Sequence, residues 1–422
     1  MLTLYTILTS LSTPILNLLL WHRLKKGKEN AARINERRGI TNIKRPNGKL
    51  VWIHAASVGE SQSALILINR LLAENKHLNI LVTSGTLTSA TLMQKRLAER
   101  AMHQFVPLDH PKWIKRFLKH WRPNVAIWIE SELWPNMLQQ IKNKRIPAAL
   151  VNARLSQTSF RRWFTFKHIA EKILSSFKII LTQTELDRHH FEKLKAKKVV
   201  HIGNIKHSAD PLPYDETAYN SLSNAIGSRP TWVYASTHDG EEELACRVHL
   251  KLKEKHPDLL TIIVPRHPER RNEIVSKIKN LNIISRHPQN TLPEDTTDIY
   301  LADTLGELGL FYKACPIAMI GRSFSNDGGG GHNPLEAAQL NCAVLTGPNI
   351  QYQQELFSDM IGAQAATLVN NENEFIQKLN DLLSNKEQLQ NEQEKALIYA
   401  SQQSHIIDDI MVQLKPILKK VL

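Results

Sequence analysis

Cysteine is scarce: Cys246, Cys315 and Cys342 are three in 422 residues, an odd number with no CxxC pair. That excludes a disulfide or zinc framework and points to a reducing compartment. No G-x-x-x-x-G-K-[ST] loop, no H-E-x-x-H and no D-x-D-type acidic pair suited to a nucleotide-bound metal occurs, which removes P-loop and zinc-peptidase chemistry and favours a metal-independent reaction. No solenoid period is present. The net charge of +14 has no aromatic-basic stacking surface or recognition motif beside it, so nucleic acid is excluded as a partner.

What is present is a chain of 422 residues, 42% apolar and 22% charged, long enough for two domains. Residues 1–21 carry no charged side chain, about the length needed to cross a ~30 Å hydrocarbon core. Threonines, serines, Asn17 and Pro14 dilute the leucines, so three readings stand: a full crossing, an interfacial helix, and an amphipathic helix on the protein's own core. A secretory signal is disfavoured, because no basic stretch precedes the apolar one. Residues 23–49 hold ten Lys and Arg against Glu29 and Glu36, eight of the fourteen excess charges. The positive-inside rule puts this collar, and the body after it, on the cytoplasmic side.

From residue 51 the pattern alternates strand and helix, as in a doubly wound parallel sheet. Strands are expected at residues 51–53, 79–83, 104–106, 125–129, 148–151, 178–181 and 199–203. After a Pro- and Gly-punctuated linker at 211–230 they resume at 231–235, 260–264, 298–301, 317–320 and 343–346. The expected organisation is an anchor at 1–22, a basic segment at 23–50, one Rossmann-like domain at 51–210, the linker, and a second Rossmann-like domain at 231–422 that ends in a pair of helices. The two domains are expected to face a cleft.

Chemistry concentrates where strands end, the edge at which open α/β sheets bind ligands. VWIHAASVGE, residues 51–60, runs strand, tight turn, helix and ends on Glu60, which either complements the helix N-terminus or acts as a base. Glu130 and Glu132 leave the VAIWI strand together. Asn152 and Arg154, then Asn204 and Lys206, add polar groups to the same edge. In the second half Arg266 follows a strand as an anion grip, and residues 303–307 open a helix. Asp327 and four glycines, Gly328 to Gly331, lead into HNPLE, where Asn333 and Glu336 lie one helical turn apart and suit ribose hydroxyls.

HAASVGE, IESELWP, NARLS, GNIK, STHDGEE, VPRHPER, DTLGEL and GGHNPLEAA follow in this order over nearly the whole chain. The chain thereby resembles the 3-deoxy-D-manno-octulosonic acid (Kdo) transferases of Gram-negative lipopolysaccharide synthesis. The resemblance implies an α/β GT-B glycosyltransferase, preceded by an N-terminal hydrophobic anchor helix, on the cytoplasmic face of the inner membrane. Its partners would be CMP-Kdo and the lipid A precursor (lipid IVA), with no cofactor beyond that co-substrate. Carried over, the family's base falls on Glu60, its assisting acid on Glu130 and its transition-state lysine on Lys206. The CMP contacts fall on Pro265, Arg266, Leu305, Gly306, Glu307, Asn333, Pro334, Leu335 and Glu336. The chain departs from the family pattern in extra residues before His332 and in the residues after Lys206. The runner-up is another GT-B transferase or a sugar-nucleotide epimerase, told apart by whether CMP or a uridine nucleotide binds.

Overall fold

The computed structural model describes all residues except Met1, Ser131, Ala209, Lys279, Pro288, Gln289, Asn326, Lys420 and Leu422, so the serine of IESELWP lies outside the described residues. The chain divides into a first unit, Met1–Ala209 with Ser404–Leu422, and a second unit, Asp210–Gln403.

In the first unit β1 (Leu50–His54), β2 (Asn79–Ser84), β3 (Ala101–Phe105), β4 (Val125–Ile129), β5 (Ala148–Ala153), β6 (Ile179–Thr182) and β7 (Val199–His201) form a parallel sheet in the order β3-β2-β1-β4-β5-β6-β7. A sheet covered on both faces needs strands that are apolar throughout. Val51 and Ile53 accordingly enter one core, while Leu50 and Trp52 enter the other. The strand order reverses between β1 and β4, which carry Glu60 and Glu130 at their carboxyl ends.

The second unit repeats the plan with β8 (Thr231–Thr237), β9 (Leu260–Pro265), β10 (Ile283–Ser285), β11 (Ile299–Leu301), β12 (Ile317–Ile320), β13 (Ala343–Thr346) and β14 (Thr367–Leu368), ordered β10-β11-β9-β8-β12-β13-β14. The two edge strands, β10 and β14, were not expected; three and two residues are too few to show a pattern. The stretch expected as a linker belongs to this unit. Its helix Glu216–Ile226, capped by Asp215, buries Leu222 and Ile226 in the core.

The tail forms three helices where a pair was expected, Glu372–Ser384, Lys386–Ser404 and Ile406–Leu418. The last returns to the first unit, where Ile406, Ile410, Leu414 and Leu418 pack with Ile68 and Leu71. Their spacing of four residues makes one helical face.

No single helix among the described residues is long and apolar enough to cross a membrane. Leu2–Leu11 and Thr13–Lys25 pass that test only as a pair, bent by 63°. Both lie on the first unit through their polar residues. Tyr5 donates its hydroxyl to Asp109 Oδ2 at 3.0 Å and Thr6 Oγ1 donates to Asn136 Oδ1 at 2.8 Å. Asn136 Nδ2 donates to Thr9 Oγ1 at 2.9 Å, Thr13 Oγ1 lies 3.0 Å from His110 Nε2, and Arg38 Nε donates to Asn17 Oδ1 at 3.0 Å.

The basic collar divides by residue type. Arg37 is buried, donating to Glu29, to the Val106 carbonyl and to the Gly85 carbonyl, while Arg23, Arg33, Arg38 and Arg45 are each hydrogen-bonded within the unit. Lys25, Lys26, Lys28, Lys44 and Lys49 remain exposed.

Candidate active site

Ser57 caps the helix Val58–Glu74, its Oγ accepting the Glu60 N–H, while Glu60 reaches back to accept from Ala56 N at 2.7 Å and from Ser57 Oγ at 2.9 Å. This is close to a capping box. The capping reading and the catalytic reading of Glu60 therefore describe one side chain. It is 7% exposed, and burial pushes its carboxyl up to about 7, with Glu130 and Glu132 adding to the rise and its two donors opposing it. Burial also raises the Glu132 carboxyl.

Glu130, directly after β4, has φ of 60°, in the left-handed region, where a side chain other than glycine is strained. Lys206 Nζ lies 3.4 Å from its Oε1, and a Cβ placed on Gly59 would meet the same Nζ at 3.5 Å. The three catalytic candidates of the first unit thus meet at one edge of its sheet.

The turn that carries Lys206, Ile205–Ser208, is fixed by asparagines. Asn152 Oδ1 accepts from Ile205 N at 3.0 Å and Asn204 Oδ1 accepts from Lys206 N at 3.1 Å. Asn152 also has a left-handed φ, 56°, at a register shift in β5, and its own carbonyl accepts from Gln183 Nε2 at 3.0 Å. Asn152 is a positioning residue, and Gln183 is a member of this set that the sequence did not single out.

In the second unit Pro265 is buried at the end of β9 and Arg266 is exposed just beyond it, its N–H held by the Thr237 carbonyl at 3.0 Å. Asn333 Nδ2 donates to Glu336 Oε1 at 3.3 Å. Burial raises the Glu336 carboxyl, while Asn333 and the charge of Arg266 lower it. Asn333 and Glu336 are thus neighbours at the spacing of one helical turn.

The other donor candidates divide into three kinds. Leu305 is 78% exposed and Gly306, at φ of 85°, has open space where a Cβ would stand. Glu307 is engaged: buried Arg286 grips it bidentately, Nε to Oε2 at 2.8 Å and Nη2 to Oε1 at 2.7 Å, and holds its carboxyl below the usual range. Leu335 and Pro334 are buried, Leu335 as a core side chain whose N–H is taken by Asn333 Oδ1 at 3.1 Å.

The helix N-termini expected to hold phosphate head helices of only seven and five residues, Leu308–Ala314 and Leu335–Gln339. Their dipoles are small, so these helix N-termini by themselves offer an anion little.

The glycine loop is packed. A Cβ on Gly330 would stand 2.3 Å from Gln351 N, and one on Gly331, at φ of 60°, would stand 2.6 Å from the Phe357 ring. Asp327 ties the loop down, accepting from Gly329 N at 2.9 Å and pairing with Arg322 and His238 at 3.1 Å each. Behind it the carboxylate of Glu241, 1% exposed, accepts backbone N–H groups from His238, Arg322, Ser323 and Phe324 and the Tyr234 hydroxyl. Glu241 and Arg286 shape this edge from within. Glu241 was visible beforehand only inside the STHDGEE motif, and Arg286 gave no signal.

A family model described as 3-deoxy-D-manno-octulosonic-acid transferase (kdotransferase) matches residues 32–209. Among solved structures, a glycosyltransferase from Rickettsia africae is 14% identical with a TM-score of 0.56, covering 89% of this chain and 100% of that one. The UDP-GlcNAc 2-epimerase of Neisseria meningitidis is 14% identical with a TM-score of 0.55, covering 86% and 100%. This chain, with its two parallel seven-stranded sheets, shares an α/β, GT-B-like fold with both, and the likeness extends to the fold alone. The 3-deoxy-D-manno-octulosonic acid transferase of Rickettsia bellii is 34% identical over 97% of this chain and 98% of its own length, and with that relative the chain belongs to the Kdo transferases and is an enzyme of that activity.

Proposed function

We propose that this Kdo transferase takes its sugar from CMP-Kdo and delivers it, without a metal ion, to a hydroxyl of the lipid A precursor, with Glu60 as general base. The observation that carries the proposal is the buried Glu60 carboxyl near 7 beside the Glu130 and Lys206 pair. A hydroxyl far above pH 7 in pKa needs a positioned acceptor for its proton, a contribution of about two to four orders of magnitude in rate, and a carboxylate titrating near the working pH supplies it. Glu130 keeps Lys206 in place and, as a second carboxylate, raises the basicity of Glu60.

In the reaction the acceptor oxygen bonds to the anomeric carbon of Kdo while its proton passes to Glu60. The bond from that carbon to the phosphate oxygen breaks, and CMP departs with the electron pair. Lys206 and Arg266 offset the charge that grows on the phosphate, the role a metal plays elsewhere. Arg266, Asn333 and Glu336 are assigned to the donor on the second unit, and Glu307 is assigned as a ribose or phosphate contact pre-set by Arg286. Exposed Leu305 with open Gly306 offers apolar surface for the cytosine ring.

The acceptor is a membrane lipid, so the enzyme is assigned to the cytoplasmic face of the inner membrane, attached through residues 2–25 and the exposed lysines. Mass spectrometry of the product from purified protein, CMP-Kdo and the tetra-acylated precursor tests the whole reading. Kdo added to the lipid by wild type and not by Glu60→Gln is the expected result. Binding of a uridine nucleotide in preference to CMP would favour the epimerase or another transferase.

A further inference from the structure

An amphipathic helix on a soluble body turns its apolar face inward. The two N-terminal helices turn Leu2 and Leu20 inward, but otherwise do the reverse. Tyr5, Thr6, Thr9, Thr13 and Asn17 bond to the first unit, whereas Leu4, Ile7, Leu8 and Leu11, then Ile15, Leu18 and Leu19, point outward, six of the seven more than half exposed. Each outward set follows the i, i+3, i+4 spacing of one helical face. The residues that dilute the stretch as a membrane span are thus the ones that fasten it to the body.

The outer row meets a polar boundary of a specific kind. Trp21 is 52% exposed with Lys25 Nζ 3.9 Å over its ring, and Lys26 and Lys28 are exposed just beyond. An apolar stripe that ends in tryptophan and lysine matches the acyl chains, headgroup level and anionic charge of one leaflet.

We infer that residues 2–25 lie within a single leaflet of an anionic bilayer and do not cross it, with the polar face bound to the first unit and the apolar rows among the acyl chains. This rests on the membrane attachment proposed above and replaces its open choice between crossing and lying in the interface. A crossing would strip Tyr5, Thr6 and Thr9 from Asp109 and Asn136. Asp109 also accepts from Asn136 N at 3.0 Å and Met137 N at 2.9 Å, so the carboxylate that holds the first helix also caps the helix Pro135–Asn143, which follows the Glu130 segment. The leaflet face is thereby fastened, through Asp109, to the start of the helix that follows the Glu130 segment.

The test adds full-length Thr3→Cys protein to preformed sealed vesicles of phosphatidylethanolamine and phosphatidylglycerol and labels with a membrane-impermeant maleimide; the three native cysteines are buried. Equal labelling before and after permeabilisation is expected, and a several-fold rise on permeabilisation would show a crossing and overturn the inference. Leu8→Glu with Leu18→Glu should abolish flotation with these vesicles at an unchanged melting temperature, and undiminished flotation would overturn it. Tyr5→Phe with Thr6→Val should lower the melting temperature of the wild-type fold by several degrees; no shift would mean the polar face is not bound. Wild type that fails to float and sediments as a dimer would assign the face to a second copy instead. Kdo transfer to detergent-dispersed acceptor, measured in parallel, reports on the transferase reading separately.

Discussion

The side chain of Asn152 holds the backbone of Ile205, Oδ1 to N at 3.0 Å, so a residue at the end of β5 sets where the neighbouring Lys206 presents its charge. Asn152→Ala removes that bond and a residue type that tolerates the left-handed backbone. Turnover is expected to fall about tenfold, as for one hydrogen bond of ~1.5 kcal/mol expressed at the lysine, with CMP affinity unchanged by calorimetry. A loss of CMP affinity in step with turnover would remove Asn152 from the Lys206 turn's support.

Glu60→Gln should cut turnover by at least ~100-fold and leave CMP binding intact. Near-normal turnover would return Glu60 to helix capping alone. Because the base works deprotonated and its carboxyl sits at about 7, kcat/KM should fall as pH drops through about 7 in wild type. Folding raises this group from 4.5, so the native state holds its proton more tightly than the unfolded chain and gives up stability as pH rises from 4.5 through about 7. The glutamine variant should lack that decline in a melting-temperature series.

Arg266→Ala or Glu336→Ala should weaken CMP binding by ~1 to 3 kcal/mol, the range for a hydrogen bond to a charged group. Unchanged affinity in both would move the nucleotide site elsewhere.

Arg286→Ala leaves Glu307 without its bidentate partner and is expected to cost about 2 kcal/mol in chemical denaturation as well as CMP affinity. If only stability falls, Glu307 is structural.

Full activity is expected in excess EDTA. Loss of activity to the chelator with recovery on adding Mg²⁺ would overturn the assignment of leaving-group charge to Lys206 and Arg266.

The sheets were readable because strands buried on both faces are unbroken apolar runs, and VWIHAASVGE or VAIWI leaves little else to do. Glu60 and Glu130 stood out as candidates because each follows such a run, whereas the role proposed for Lys206 came from the GNIK motif, its strand β7 being short and half-exposed. Arg286 was not, because it follows a three-residue, half-buried edge strand and its partner Glu307 lies 21 positions on. The left-handed Asn152 and Ser236 sit at register shifts that the apolar pattern of β5 and β8 passes over unmarked. Residues 1–21 show the opposite lesson: their period of polar and apolar positions was present, but a period identifies two faces without saying which one meets the body.

The helix Ile406–Leu418 supplies seven buried side chains to a core that begins at Val51. During synthesis that core stays open until residues 406–418 have left the ribosome, long after the strands around it have been made. A nascent chain of this protein must therefore carry an uncovered apolar groove on its first unit while the whole second unit is being made, and premature termination before residue 406 yields a product that cannot close it.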